Sequence, residues 1–199
     1  MNAREEILGL IGTGSGDPAA EYAALERRYL RSHHQDGVVE LFAERVADYR
    51  AIVHRVTAAE LPAAIAAALA ERPGTHGTPD GLPDGWTADV DPARLVREPA
   101  DLESLAGVVT GCGVAIAETG TIVLDHGARQ GRRALTLVPD YHLVVVTADE
   151  IAADVPEALE RLDLTRPLTF ISGPSATSDI ELDRVEGVHG PRTLEVMIV

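Results

Sequence analysis

Val108-Val109-Thr110-Gly111-Cys112-Gly113-Val114-Ala115-Ile116-Ala117-Glu118-Thr119-Gly120-Thr121-Ile122-Val123-Leu124 reads as two apolar strands around a tight Glu-Thr-Gly turn. Gly120 supplies the residue that can take positive φ in such a turn. Downstream, Gly131 to Leu137 predicts a short helix, and Tyr141 to Val146 a buried strand. Asp149 to Leu162 carries apolar Ile151, Val155, Leu159 and Leu162 at helical spacing behind a Thr147 cap. Leu168 to Ser172 and Thr193 to Val199 read as further strands. Upstream, Ala51 to Val56 predicts a strand. Thr57 and Glu60 form a capping box before an alanine-rich helix running to Ala70. Pro73 to Pro92, rich in proline and glycine, predicts a loop anchored by Trp86. Strands that alternate with helices and are apolar throughout imply an α/β domain with a largely parallel, covered sheet.

Residues 1–50 read as a helical extension and 51–199 as the α/β domain. Within the extension, Gly12-Thr13-Gly14-Ser15-Gly16 is spaced G-x-G-x-G and follows no strand, so a hinge is expected rather than a phosphate loop. His33-His34-Gln35-Asp36 is expected to be a solvated linker, and no metal site is predicted.

Composition narrows the chemistry. The chain has 199 residues, 45% of them apolar, enough for a sizeable core. Its 17 basic and 32 acidic residues leave a formal charge of −15, which argues against nucleic acid and anionic membranes as partners. All the bases are arginine. A lysine Schiff base and a P-loop lysine are therefore excluded. A single cysteine, Cys112, rules out an internal disulfide, a thiolate zinc site and a self-contained iron–sulfur cluster. Met1 to Leu10 has no apolar signal region, and the longest apolar stretch, Leu61 to Ala70, is about half a membrane span. A cytoplasmic protein without membrane insertion is expected.

Three sets of motifs, in this order, resemble the lactate utilization protein C family, the LUD domain. They are Val109-Thr110-Gly111 with Ile116 to Leu124, then Leu135-Thr136-Leu137-Val138-Pro139-Asp140-Tyr141-His142. The third set comprises Ile171-Ser172-Gly173-Pro174-Ser175, Asp179-Ile180-Glu181 and Gly187-Val188-His189-Gly190-Pro191-Arg192. The resemblance covers roughly residues 38–199. It implies a NagB/RpiA/CoA-transferase-like open sheet with flanking helices. It also implies a place in a cytoplasmic three-protein system that oxidises L-lactate to pyruvate, with iron–sulfur clusters carried by the partner proteins. No intrinsic cofactor is expected here.

The candidate site comes from the residues themselves. Thr110-Gly111-Cys112-Gly113, Glu118-Thr119-Gly120-Thr121 and Ser172-Gly173-Pro174-Ser175 each set glycine beside small hydroxyls at a strand end. In open α/β sheets ligands bind beyond the carboxyl ends of strands, where glycine lets amides approach an anion. Thr110, Gly111, Gly113, Thr119, Gly120, Thr121, Gly173, Pro174, Ser175 and Thr177 are therefore candidate ligand-binding residues, with plain turns as the alternative. If Gly173 to Thr177 opens a short helix, its free N–H groups would add to the site. Against the net charge, the field would come from oriented amides and from Arg129, Arg132, Arg133 or Arg192. Glu118, the one carboxylate in the strand pair, is the tentative catalytic residue if burial raises its pKa. Asp179, Glu181, His189 and Arg192 are expected to support the site as a polar network. The functions left open are an accessory subunit binding a small anion, a CoA-transferase or formyltetrahydrofolate cyclo-ligase-like enzyme using Glu118, and a metabolite-sensing module.

Overall fold

The computed structural model describes residues 2–11, 17–27, 36–177, 185–186 and 190–199. Contacts divide the chain into Met1–Leu30 and Arg31–Val199. The first unit holds α1 (Ala3–Ile11) and α2 (Pro18–Ala24). Asp17 caps α2, its Oδ1 accepting the Ala19 N–H at 3.0 Å, and Pro18 opens the helix where its missing N–H costs nothing. The glycine-rich stretch 12–16 and His33-His34 lie outside the described residues.

The second unit runs α3 (Val38–Asp48), β1 (Ile52–Arg55), α4 (Leu61–Ala70), β2 (His76–Thr78), β3 (Leu95–Arg97), β4 (Gly107–Thr110) and β5 (Val114–Ile116). It continues with β6 (Thr121–Leu124), β7 (Tyr141–Val146), β8 (Ile151–Ala152), α5 (Val155–Glu160), β9 (Thr169–Ile171), β10 (Ala176–Thr177), β11 (Val185–Glu186) and β12 (Thr193–Ile198). Six strands form one sheet in the order β1-β12-β7-β4-β2-β3, every pairing parallel. A smaller sheet, β8-β5-β6-β9, contains the expected hairpin of β5 and β6, with Gly120 at φ 59° in its turn.

Alternation along β7 explains how the layers assemble. Tyr141, Leu143 and Val145 face α4, where Leu61, Ile65, Ala68 and Leu69 cover them with Leu82, Val90 and the half-buried Trp86. Val144 and Val146 face the other way, with Leu194, Val196 and Ile198 of β12, against the hairpin and α3. A strand covered on both faces must be apolar throughout, which is why this one was legible.

Phe42 and Val46 of α3, upstream of the boundary expected at residue 51, are fully buried in the core of the second unit. Burial of side chains this size is worth roughly 2–3 kcal/mol each, which binds α3 to the sheet. The helix expected over 149–162 is interrupted. Thr147 and Glu150 close a capping box around one 3-10 turn, Ile151–Ala152 pairs with β5, and α5 restarts at Val155 with Pro156 in its first turn. Pro156 has no N–H to continue a helix from upstream. The loop 73–92 also contains β2, a strand inside the main sheet between β4 and β3.

Candidate functional site

A cleft of about 350 Å³ opens between the two sheets, where β9 ends beside the amino ends of β7 and β12. Ser172 to Ser175 form one wall and Gly190-Pro191 another. The 3-10 turn Arg133–Thr136 and Leu137 form a third, and His142 and Leu194 lie beneath. Ligands were expected beyond the carboxyl ends of the main strands; this cleft lies at the amino ends of β7 and β12, where β9 delivers its loop. The Ser175 N–H donates to the Pro191 carbonyl at 2.8 Å and ties the two loops together.

Arg133 is the cation of the cleft, exposed, and paired with no carboxylate among the described residues. The other candidate arginines are engaged. Arg129 pairs with Glu150, the Arg132 guanidinium donates to the Pro99 carbonyl at 2.8 Å, and Arg192 grips Asp140 in two-pronged fashion. That grip holds the Asp140 carboxyl below its usual range.

His142 is fully buried and lines the cleft. Its Nε2 lies 2.8 Å from the Thr110 hydroxyl, while its Nδ1 has no hydrogen-bond partner among the described residues. Burial pushes its pKa down to about 3, so the ring is neutral near pH 7. A buried polar atom without a partner is unusual enough to need a reason. Sequence inspection missed this residue as a site candidate; the signal was a lone histidine inside the apolar run 141–146.

The glycine–hydroxyl segments divide in role. β6 pairs with β9 and sets Thr121 beside Ser172, 2.8 Å between hydroxyl oxygens, and Thr119 donates to Thr121 at 2.8 Å. A chain of hydroxyls thus runs from the hairpin to the cleft edge. Gly173, Pro174 and Ser175 line the cleft; Thr110 reaches it only through His142; Gly111, Gly113, Thr119, Gly120 and Thr121 are not among its lining residues. The amides expected to cradle an anion are already spent on carbonyls: Gly111 on Arg129, Gly113 on Val123, Glu118 on Ala153 and Gly120 on Ala117. Gly173 to Thr177 opens no helix, since Ala176–Thr177 is a strand paired with Val185–Glu186.

Glu118 is exposed at the hairpin, not buried, and does not line the cleft. Cys112 is fully buried with its thiol 3.6 Å from Glu150, and burial pushes the thiol pKa up, so it is a packing residue. Asp179, Glu181 and His189 lie outside the described residues. Among the described residues no group of three or more His, Cys, Asp or Glu is arranged to hold a metal, and no helix is long and apolar enough to cross a membrane.

A second polar cluster lies on the α4 face. Glu195, buried in β12, accepts from the Tyr141 hydroxyl at 2.9 Å, lies 2.7 Å from His54 Nε2 and 3.4 Å from the Arg72 guanidinium. Nearby His76 is fully buried, and neither ring nitrogen has a partner among the described residues.

Comparison with known proteins gives consistent matches. Residues 90–199 match the LUD domain. A Deinococcus radiodurans protein named lactate utilization protein C is 50% identical over 171 residues, 81% of this chain and 79% of that protein. A Geobacillus kaustophilus protein of the same name is 32% identical over 133 residues, 59% of this chain and 55% of its own. A crystal structure described as a DUF162 family protein from Deinococcus radiodurans aligns with TM-score 0.69 at 42% identity, covering 81% of this chain and 96% of that one.

Proposed function

This chain belongs to the LUD domain family, and from that premise we propose that it serves L-lactate oxidation as an accessory subunit binding a small organic anion. The observation that carries this reading is that Arg133, Ser172 and Ser175 line one cleft whose apolar walls are Leu137, Ile171 and Leu194. One cation suits one negative charge, and an apolar wall suits a short carbon chain. The electron-carrying clusters belong, on this reading, to iron–sulfur partner proteins in the cytoplasm. The one thiol here is buried and bonded to a carboxylate, unsuited to ligate iron. An enzyme that uses Glu118 as nucleophile gains nothing from the geometry, since that carboxylate is outside the cleft.

Reconstitution tests the proposal. The chain is expected to co-purify with its iron–sulfur partners, and lactate-dependent dye reduction by the assembly is expected to fall at least tenfold when Arg133→Ala replaces the native chain. Full dye reduction by the partners without this chain would overturn the accessory role.

A further inference from the structure

We infer that the rim of the cleft is a docking surface for a partner protein that presents apolar side chains flanked by carboxylates. The inference does not depend on what the cleft holds. It goes beyond the accessory role by assigning the docking face and the chemistry that recognises it. Three of the five large apolar side chains that the second unit exposes among its described residues gather here. Phe170, 51% exposed, lines the cleft. Tyr49, 46% exposed, packs against the lining residue Gly173, and Val138, 48% exposed, directly follows the lining residue Leu137. Apolar side chains scattered singly over a surface need no partner, whereas a cluster about one cleft marks an interaction site.

Charge selects the partner. Arg50, next to Tyr49, and Arg133, on the cleft wall, are both exposed and paired with no carboxylate among the described residues. The neighbouring charges are matched: Arg192 with Asp140, Arg166 with Asp125 and Arg45 with Asp48. On a chain of formal charge −15 this leaves the rim locally positive. Arg50 is moreover held there against backbone preference. It follows the C-cap of α3 at φ 68°, its N–H donating to the Ala47 carbonyl at 2.8 Å, a place that glycine ordinarily fills. Strain kept at an exposed position points to a use for the side chain. A second copy meeting the rim across a two-fold axis would set these arginines against their own counterparts. Nucleic acid fits the arginines but not the three apolar side chains, and the rest of the chain repels it.

Fluorescence anisotropy of three labelled synthetic peptides titrated with the full chain tests this: one of leucine and glutamate, one of leucine and lysine, one of serine and glutamate. The first is expected to bind about tenfold tighter than either of the others, and Phe170→Ser or Arg50→Gly to weaken it about tenfold. Arg50→Gly carries a second readout. Glycine accepts φ 68° without strain, so its melting midpoint is expected to rise by about 2 °C while its affinity falls. A merely structural Arg50 would move the midpoint alone, or move both in one direction. Equal binding of the glutamate and lysine peptides with leucine, no binding of any peptide, or full affinity in Arg50→Gly would overturn the inference. Self-association of the native chain that Phe170→Ser abolishes would overturn it too, by making the rim an interface between copies. So would sedimentation with phosphatidylglycerol vesicles that Phe170→Ser abolishes, by making it a lipid-binding face. An accessory subunit that docks through another face would survive each of these results, and the accessory role itself is read separately in dye reduction.

Discussion

Gly173 meets Tyr49 so closely that a Cβ at position 173 would stand 2.6 Å from the tyrosine Cβ and 2.8 Å from its carbonyl oxygen. Gly120 meets α3 in the same way, 2.7 Å from the Arg45 carbonyl carbon. Both glycines have positive φ, 87° and 59°. Two glycines suggested by sequence as anion contacts are thus where the hairpin and the β9 loop close onto α3. Gly120→Ala and Gly173→Ala are each expected to destabilise by roughly 2–4 kcal/mol through strain and overpacking. Thermal melts check this: each midpoint should fall by several degrees, and an unchanged midpoint in either variant would contradict the packing role.

Stability should also fall in mild acid. An unfolded histidine titrates near 6.5, whereas folded His76 titrates near 4 and folded His142 near 3, in both cases chiefly because burial disfavours the charged ring. For His76 the charges of Arg94 and Arg72 add to this. Below pH 6.5 the unfolded chain takes up protons that the folded chain refuses. The full contribution is therefore present above 6.5 and is lost as pH falls, down to about 4 for His76 and about 3 for His142. At the acid end of its window each can remove on the order of 3–5 kcal/mol, His142 the more. Urea midpoints at pH 7.5, 5.5 and 4.5 should decline. His76→Leu should flatten that decline, and an unchanged slope would exclude His76 as a source.

What the sequence revealed follows from what each residue exposes to pattern. The run Tyr141 to Val146 is covered on both sides and so reads as a strand at the bounds the fold uses. The turn at Gly120 announces itself because few residues tolerate its φ. His76-Gly77-Thr78 gives no apolar signal, yet backbone pairing with β3 and β4 makes it an interior strand. Leucines 105 and 135 approach within 3.0 Å of a Cβ at Gly77, a contact set by tertiary packing and invisible locally. A catalytic Glu118 depended on burial that its apolar neighbours made conceivable; in the hairpin it falls at the exposed corner. Arg133 was legible as one of four candidate cations. Only the structure separates it from three arginines whose partners lie 17 or more residues away.

Glu195 supplies the strongest single test of the α4 face. Its buried carboxylate is satisfied by Tyr141, His54 and Arg72, and the Arg72 guanidinium also lies 4.1 Å above the Tyr141 ring. Removing one partner of a buried charged network leaves the rest uncompensated. Glu195→Ala is expected to cost about 3–5 kcal/mol, and Glu195→Gln less because the Tyr141 hydroxyl keeps an acceptor. Chemical denaturation checks the order of the two variants; equal midpoints would mean the charge contributes nothing.

The location of the anion is the point on which the account turns, and a halogenated acid can mark it directly. Crystals of the chain soaked in 2-bromopropionate, which has the carbon skeleton of lactate with bromine in place of the hydroxyl, would reveal the ligand by the anomalous signal of bromine. The account predicts a peak in the cleft between Arg133 and the Ser172–Ser175 loop, lost in crystals of Arg133→Ala. A peak elsewhere on the chain, or one in the cleft that persists undiminished without Arg133, would contradict it.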